Sequence, residues 1–295
     1  MKKEEIENTR KAGEIVRKVK EFSKKLVKKD MLLKEIAEKI EEEIIKLGGN
    51  PAFPVNLGIN DYTAHYTPSY NDETKAYGLI KVDFGVEIEG YVADNSITID
   101  LENTDENKKL IKCSEEALES AIGAVEKGKS LGEIGHEIQK VSEKYNFSAI
   151  QNLSGHGIEQ YQLHTPPSIP NYNNKSPAKL KDGVYAIEPF ITTGQGLVYD
   201  GKPSGIYELK KVSGNIRDNN ARKVLGYIAE NYGTLPFCSR WLVKEFGTRA
   251  LISLSLLEKA GILYQFSQLI EKSHSKVAQS EHTIIINDGK VEIVT

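Results

Sequence analysis

The sequence predicts an α+β fold built from two similar halves. Apolar residues at helical spacing come first and alternating, strand-like patterns follow, and this order occurs twice along the chain. The segment LKEIAEKI at residues 33–40 matches LGEIGHEI at 131–138 in its leucine, one glutamate and both isoleucines. Each copy follows a long helical stretch and precedes strands, so an internal duplication explains the match better than chance does.

The predicted first half opens with two amphipathic helices. Apolar residues recur at helical spacing over residues 9–28. A second helix is predicted from Leu33 to Leu47, where the Gly48-Gly49 pair provides a stop signal. Strand-like runs follow at residues 53–58, 80–88 and 91–100, so this half ends in a sheet.

The predicted second half repeats that order. A third helix is expected to begin after Asn103, because Glu106 stands where a capping box requires it. A fourth helix runs from Leu131 to about Tyr145, and strand-like runs return at 147–153, 183–190 and 283–294. Residues 200–268 break the pattern with new helical stretches. We therefore expect one main domain, 1–199 with 269–295, and a helical insertion subdomain over 200–268.

The composition is typical of a soluble protein in a reducing compartment. The two cysteines, Cys113 and Cys238, lie far apart without a CxxC pattern, which argues against disulfides and against a thiolate zinc site. A net charge of -3 gives no reason to expect a nucleic-acid partner. The charged N-terminus has no apolar signal-like core and no apolar run is long enough to cross a membrane, so we expect a cytoplasmic protein.

Two aspartates stand in unusual places in the segment KVDFGVEIEGYVADNSITI, Lys81–Ile99. Its alternation and the Glu89-Gly90 pair predict a β-hairpin with a two-residue turn. Opposed residues in such a hairpin have numbers with an odd sum, so Asp83 and Asp94 fall on one face, opposed or diagonal. Two like charges on a partly buried face need a proton or a cation between them. The hairpin alone leaves a solvated edge and a cation site equally open.

Three further segments place ionisable residues in apolar surroundings. His156 lies between two glycines in NLSGHGI, Glu188 stands in the apolar run YAIEPF, and Glu281 begins the strand of AQSEHTIII. The neighbouring His282 would point to the other face of that strand. Four carboxylates with one imidazole suit Mn, Fe, Co or Zn. A single ion that keeps coordination positions open for substrate needs fewer than five protein ligands. The set of five therefore favours two ions.

Two more histidines lie close in sequence to these motifs and are further candidates for the site. His65 lies in the loop TAHYTP, and His164 lies in YQLHTPPSIP, eight residues after His156. Each histidine by itself is more often structural than catalytic, so neither assigns a function alone.

Taken together, these segments closely resemble the methionine aminopeptidase family, in the right order and over nearly the whole chain. The resemblance rests on PAFPVNLGIN…AHYTP, KVDFGVEIEGYVAD, NLSGHGI…LHTPPSIPN, AIEPF, YGTLPF…RW and QSEHTI. Residues 200–268 resemble the winged-helix-like insertion of the type 2 class, and the short N-terminus resembles the archaeal form. The resemblance implies the pita-bread fold, in which two pseudo-symmetric halves surround a dinuclear metal centre.

The resemblance also implies a metal-ligand set. Asp83 would chelate one ion, Asp94 and Glu281 would bridge both, and His156 and Glu188 would complete the other site. The cofactors would be two divalent ions drawn from Co, Mn, Fe and Zn.

Further residues are implied to bind substrate or to act in catalysis. His65 and His164 would line the substrate site, and Phe53 in PAFP would line a methionine pocket. Catalytic roles fall to His65, His164 and Glu188, the last as a proton shuttle. The implied activity removes the N-terminal methionine of nascent proteins when the second residue is small, by attack of a hydroxide that bridges the two ions.

The partners implied are the N-termini of peptides and nascent chains, met through transient association with the ribosome. We expect a monomer that binds neither a specific nucleic acid nor a membrane. Two alternatives are an X-Pro peptidase of the same fold and a non-catalytic binding protein of that fold. Asn95, Ser280 and Thr165-Pro166-Pro167 depart from the usual family pattern beside the ligands, where they affect pocket shape and hydrogen bonding.

Overall fold

Each half of the protein contains a long helix, a 14-residue helix and then a set of strands. The computed structural model describes residues 1–211 and 216–295. The helices are α1 (Lys3–Leu26), α2 (Leu33–Lys46), α3 (Asp105–Glu126), α4 (Leu131–Lys144), α5 (Asn219–Asn231), α6 (Ser239–Phe246) and α7 (Ala250–Lys259). Within the described ranges, none of them combines the length and the hydropathy needed to cross a membrane.

The strands of the first half and of the second half's opening are β1 (Asn50–Pro51), β2 (Asn56–Ile59), β3 (Tyr62–Ala64), β4 (Leu79–Ile88), β5 (Tyr91–Asp100), β6 (Ser148–Ala149), β7 (Ser154–Glu159) and β8 (Gln162–Pro170). The remaining strands are β9 (Gly183–Ile187), β10 (Phe190–Thr192), β11 (Val198–Leu209), β12 (Phe237–Cys238), β13 (Leu263–Glu271), β14 (Val277–Gln279), β15 (His282–Asn287) and β16 (Lys290–Ile293).

The two halves repeat one pairing pattern, as the internal sequence match predicts. In the first half β4 pairs with β1, β2 and β5, all antiparallel. In the second half β9 pairs with β7 and β15, and its continuation β10 pairs with β6 and β14. The duplicated order of elements therefore folds into similar antiparallel pairings, in one four-stranded sheet in the first half and in a three-stranded and a five-stranded sheet in the second.

Each half has its own apolar core between helices and sheet. In the first core Val16 of α1 and Ile40 of α2 pack with Phe84 of β4. In the second, Leu110 of α3 and Ile134 of α4 pack in the cluster that contains Ile284 of β15. Complete burial of one such side chain is worth about 1.5–3 kcal/mol, so the cores hold the rigid strands that carry the polar residues described below.

Residues 200–268 contain the three helices α5–α7 and also strands. The region begins and ends in the long paired strands β11 and β13, whose Leu209 lies opposite Leu263. These strands extend beyond 200 and 268, and β13 pairs with β3 through Leu269 and Ala64. A separate apolar cluster joins α5, α6 and α7. The division into a main domain and an insertion stays a prediction.

Two local predictions are wrong by a few residues. The N-cap of α3 is Thr104, whose hydroxyl accepts from the Asn107 amide, and Asn103 lies outside the helix with a φ of +59°. The predicted strand at 147–153 is reduced to Ser148–Ala149, because the chain turns before β7 begins. His156 lies within β7.

Candidate metal centre

The β4–β5 hairpin presents Asp83 and Asp94 on one face. Its turn residues Glu89 and Gly90 have φ angles of +52° and +81°, which fit the type I′ turn that joins twisted strands. The register pairs Asp83 with Ser96 and Asp94 with Gly85, so the two aspartates are diagonal neighbours. The predicted same-face placement is confirmed.

Gly85 makes room for an aromatic ring beside these aspartates. A Cβ atom at this position would lie 2.5 Å from Cε1 of Phe53. The Ala52 amide donates to the Gly85 carbonyl at 3.0 Å, which fixes the chain just before the phenylalanine. Phe53 is consequently buried against the hairpin, next to the position opposite Asp94.

Glu188 and Glu281 occupy the break in the corresponding ladder of the second half. Ile187 lies opposite His282 and Phe190 lies opposite Gln279, so continuing the register places Glu188 opposite Glu281. Pro189 has no amide hydrogen to donate, and its carbonyl accepts only a long bond of 3.4 Å from the Ser280 amide, so the regular ladder is interrupted here. The predicted strand at 183–190 did not include this interruption. Both glutamates lie between strands as a result.

Hydrogen bonds across the centre of the molecule bring the two halves together. The Asp94 amide donates to Oγ1 of Thr283 at 2.7 Å, and that hydroxyl donates to the Asp94 carbonyl at 2.9 Å. The Glu281 amide donates to the Ser96 carbonyl at 3.1 Å. With its nitrogen towards β15, the amide of Asn95 donates to the Glu281 carbonyl at 3.1 Å. The carboxylates of Asp94 and Glu281 therefore meet although they are distant in sequence.

His156 offers a neutral ring nitrogen to this group. Its Nδ1 lies 3.1 Å from the Gly157 carbonyl, an acceptor, so Nδ1 carries the proton and Nε2 keeps its lone pair. Nε2 lies 3.5 Å from Oε1 of Glu188 and 3.9 Å from Oδ2 of Asp94. Burial lowers the pKa of His156 to about 4, so the ring is uncharged at neutral pH, as a metal ligand must be.

One cavity of about 230 Å³ collects all the residues that the sequence predicts for the site. They are Phe53, His65, Asp83, Asp94, His156, His164, Glu188 and Glu281. Ligand atoms of Asp94, His156 and Glu281 lie within 4.8 Å of one another. The structure thus brings the predicted residues together, while the role of each remains a prediction.

Burial disfavours the charged form of the carboxylates that line this cavity. Burial raises the pKa of Asp83 to about 7. Burial and neighbouring carboxylates raise the pKa of Asp94, Glu188 and Glu281 well above the ordinary range. Within the described part of the chain, Oδ1 of Asp94 and Oε1 of Glu281 are buried and have no hydrogen-bond partner. Such oxygens need protons or cations, so the donor set fits divalent metal ions.

The other two histidines predicted for the site, His65 and His164, also line the cavity. His65 follows β3 with a φ of +58°, and its Nδ1 lies 3.3 Å from the Ser267 carbonyl. Burial lowers the pKa of His65, which favours a neutral ring. His164 is exposed on β8, and its ring centroid lies 4.4 Å from that of His156. Both imidazoles are placed to contact a molecule that enters the cavity.

Sequence reasoning missed several uncharged polar residues of the site, and three of them lie beside the predicted ligands. Gln279 is buried and its Nε2 donates to Glu188 at 3.3 Å and to Glu281 at 3.5 Å. Asn56 lies opposite Asp83 in the ladder and also lines the cavity. The third is Thr283, which bonds Asp94. A search for carboxylates and histidines does not select such residues. In the sequence, Gln279 could have been found as a polar residue two positions before the predicted ligand Glu281, on the same face of an extended chain.

The departures from the family pattern have local partners. Oγ of Ser280 lies 2.8 Å from Oγ of Ser114 on α3, in a buried hydrogen bond. Thr165 packs closely on β7, where a Cβ at Gly157 would lie 2.7 Å from its Oγ1. Each departure is therefore accommodated without displacing a predicted ligand.

Comparison with known proteins gives matches over almost the whole chain. The family model described as metallopeptidase family M24 matches residues 7–287. A methionine aminopeptidase of Methanocaldococcus jannaschii is 42% identical over 287 residues, which cover 96% of each chain. A match of this extent shows shared ancestry as well as a shared fold.

Solved structures with lower identity show the fold. A thermophilic Arx1 superposes with a TM-score of 0.85 at 16% identity, covering 100% of this chain and 91% of that one. A methionine aminopeptidase of Thermotoga maritima superposes with a TM-score of 0.72 at 23% identity, covering 100% and 98%. The two paired halves described above are thus the pita-bread arrangement that the sequence predicts.

Proposed function

The chain belongs to metallopeptidase family M24, and on that premise we propose that the candidate metal centre cleaves the first peptide bond of a chain that begins with methionine. The activity is the metal-dependent hydrolysis that removes an N-terminal methionine. The observation that carries the proposal is the cluster of Asp94, His156 and Glu281, whose unsatisfied carboxylate oxygens face a cavity with apolar walls.

Membership of the family implies divalent metal ions as cofactors. The finer proposal is two ions, with Asp83 on one, Asp94 and Glu281 shared, and His156 and Glu188 on the other. Supporting it, the four buried carboxylates carry more negative charge than one divalent ion would neutralise. Bound ions of this kind lower the pKa of water and polarise a carbonyl group. Co, Mn, Fe and Zn all suit a donor set of oxygens with one nitrogen.

The protein's own side chains would bind the peptide and move protons. We assign His164 to a hydrogen bond with the scissile amide, because its exposed ring lies beside His156 at the cavity. His65, which follows β3, would orient the substrate or the leaving amine. Glu188, whose Oε2 accepts from Gln279, would hold a proton on Oε1 and pass it to the leaving nitrogen.

An apolar wall explains a preference for methionine. Phe53, Leu163, Ile206, Pro236 and Phe266 line the cavity beside the polar cluster. An unbranched thioether fits such a pocket, whereas a charged side chain would lose its solvation there. Restriction to a small second residue would then be steric.

The proposal extends to the setting of the reaction. The substrates would be N-termini of peptides and nascent chains, reached by a cytoplasmic monomer during transient contact with ribosomes. Sedimentation of the purified protein would check the monomer, and co-sedimentation with ribosomes would check the contact.

One experiment tests the function directly. The purified protein is loaded in turn with Mn, Fe, Co or Zn and given Met-Ala-Ser or an X-Pro dipeptide, while bound metal is counted. We expect release of methionine, no X-Pro cleavage and two equivalents of metal that are absent from Asp83→Ala/Asp94→Ala. Cleavage of X-Pro alone would favour the proline-specific alternative. Metal-free protein without cleavage of either peptide would favour a non-catalytic binding protein.

A further inference from the structure

An ion pair is buried between helix α2 of the first half and helix α6 of the 200–268 region. Glu41 and Arg240 are 6% and 4% exposed. Nη1 and Nη2 of the arginine each donate at 2.8 Å to one carboxylate oxygen of Glu41, in a two-pronged arrangement. Nε1 of Trp241 donates to the same carboxylate at 2.9 Å. A buried pair of this kind is often neutral for stability compared with apolar residues, so its presence calls for another role.

On the side of the first half, the pair holds the chain that forms one wall of the cavity. Oε1 of Glu41 accepts from the Val55 amide at 3.3 Å, two residues after Phe53 and one before Asn56. Both neighbours line the cavity. The Val55 carbonyl accepts from Oγ1 of Thr67 at 2.9 Å, so the segment is fixed on both edges.

On the other side, the arginine holds the chain that forms the facing wall. Arg240 follows β12 closely, and β12 pairs Cys238 with Ile206. Ile206 and Pro236 both line the cavity. Nε of Arg240 also donates to the Pro68 carbonyl at 3.1 Å, three residues after His65. The Arg240 guanidinium, directly or through Glu41, therefore contacts three segments: the one that carries Ile206 and Pro236, the one that carries Phe53, and the loop after His65.

We propose that Glu41 and Arg240 are positioning residues that set the separation between the two walls of the methionine pocket, Phe53 on one side and Ile206 with Pro236 on the other. The inference rests on the proposed function, because it names what determines the fit of the first substrate residue. Neither side chain lines the cavity, so their effect passes through Val55 and β12.

The test replaces the pair by neutral groups of similar shape, in Glu41→Gln/Arg240→Met. This change leaves no buried charge unpaired, which a single substitution would do. The exposed two-pronged pair of Arg10 and Glu292 provides the matched control, Arg10→Met/Glu292→Gln. The chain has one tryptophan, Trp241, so its fluorescence reports directly whether the contact with Glu41 is lost.

For Met-Ala-Ser we expect KM of the neutral-pair variant to rise about 10-fold with kcat within about twofold, because binding of the methionine side chain is lost equally in ground and transition states. The preference for Met-Ala-Ser over Leu-Ala-Ser should fall by a similar factor, while bound metal is unchanged. The control pair should alter none of these quantities. Arg240→Lys, which keeps the charge and loses the two-pronged geometry, should lie between.

Unchanged KM and selectivity in a variant whose Trp241 emission has shifted would overturn the proposal, as would a loss of bound metal with a fall in kcat. If the double variant does not fold, KM and selectivity of Arg240→Lys decide the question by the same criteria. Calorimetric measurement of L-methionine binding to the metal-loaded protein separates the positioning role of Glu41 and Arg240 from the proposed function. Wild-type protein that binds methionine but releases none contradicts the proposed function, while weaker binding in the variant still supports the positioning role. Protein that does neither contradicts both.

Discussion

Glu188 and Glu281 face each other across the two-residue break in the β9–β10 and β14–β15 ladder. The pairs Ile187–His282 and Phe190–Gln279 on either side keep one register. The corresponding β4–β5 ladder of the first half is unbroken and pairs Gly85 with Asp94. Asp94 and Glu281, the two residues proposed to be shared between ions, therefore lie on corresponding edges of the two ladders, and the missing side chain at Gly85 is where Phe53 packs.

Removing the charge of Glu281 should separate metal binding from stability. Glu281→Gln should weaken metal binding by at least about 100-fold, since a carboxylate proposed to be shared between the ions is lost. The metal-free variant should nevertheless be more stable than wild type at pH 8, by about 1–3 kcal/mol, because an amide does not have to ionise or hold a costly proton there. Urea unfolding with EDTA and competitive metal titration measure the two effects. Glu292→Gln, at an exposed site, should not weaken metal binding; equal metal affinity in Glu281→Gln and wild type would refute its role.

In the metal-free protein, the contribution of Asp83 to stability should be lost as the pH rises from about 4 to about 7. Asp83 has a pKa of about 7 in the folded protein and an ordinary value of 3.8 when exposed. Between those values Asp83 has released its proton in the unfolded chain and still holds it in the folded chain, so its contribution to the free energy of unfolding falls with rising pH and is gone above about pH 7. In urea unfolding with EDTA, the stability difference between wild type and Asp83→Asn should therefore shift against wild type from pH 4 to pH 7, and a difference that does not change with pH would count against the assignment.

Metal binding should strengthen over the same range of pH. The raised pKa values of Asp94, Glu188 and Glu281 mean that an ion must displace protons when it binds. Calorimetric titration at pH 6.5 in two buffers with different ionisation enthalpies should show net proton release. Affinity that is independent of pH between 6 and 8 would show that the carboxylates are already charged.

Gln279 should matter for metal affinity although it carries no charge. Its amide donates to Glu188 and Glu281, and loss of such an outer hydrogen bond typically weakens a site by about 10–100-fold. We expect that reduction in Gln279→Leu, measured by competitive chelator titration, with a smaller loss in Gln279→Asn if the shorter amide still reaches one carboxylate. Full affinity in Gln279→Leu would mean that the two carboxylates are oriented without it.

His164 should affect catalysis and not metal content. His164→Ala should lower kcat/KM for Met-Ala-Ser by about 10²–10⁴-fold, the usual contribution of a group that donates in the transition state. The exposed His136 on α4 supplies the control, since His136→Ala removes the same ring far from the cavity. Unchanged kcat/KM in His164→Ala would show that the proposed contact with the scissile amide is wrong.

Much of the local structure could be predicted because it depends on neighbours in the sequence. The helices α2 and α4 follow from their apolar spacing, and the same-face placement of Asp83 and Asp94 follows from a two-residue turn and the period of a strand. The cap of α3 was misplaced by one residue, since Asn103 and Thr104 both suit the position. The ladder break was missed because Pro189 shows its effect only against a partner strand.

The sequence by itself determined the duplicated order of elements, the candidate ligands and the resemblance to a family, since these depend on residue type and spacing. Only the tertiary structure decided which groups meet. Thr283 joins Asp94 across the two halves, Gln279 spans two carboxylates, and Arg240 reaches Glu41 from the 200–268 region. Such contacts depend on the packing of segments far apart in the chain, and no local pattern of hydrophobicity or charge encodes the direction in which a buried side chain will find its partner.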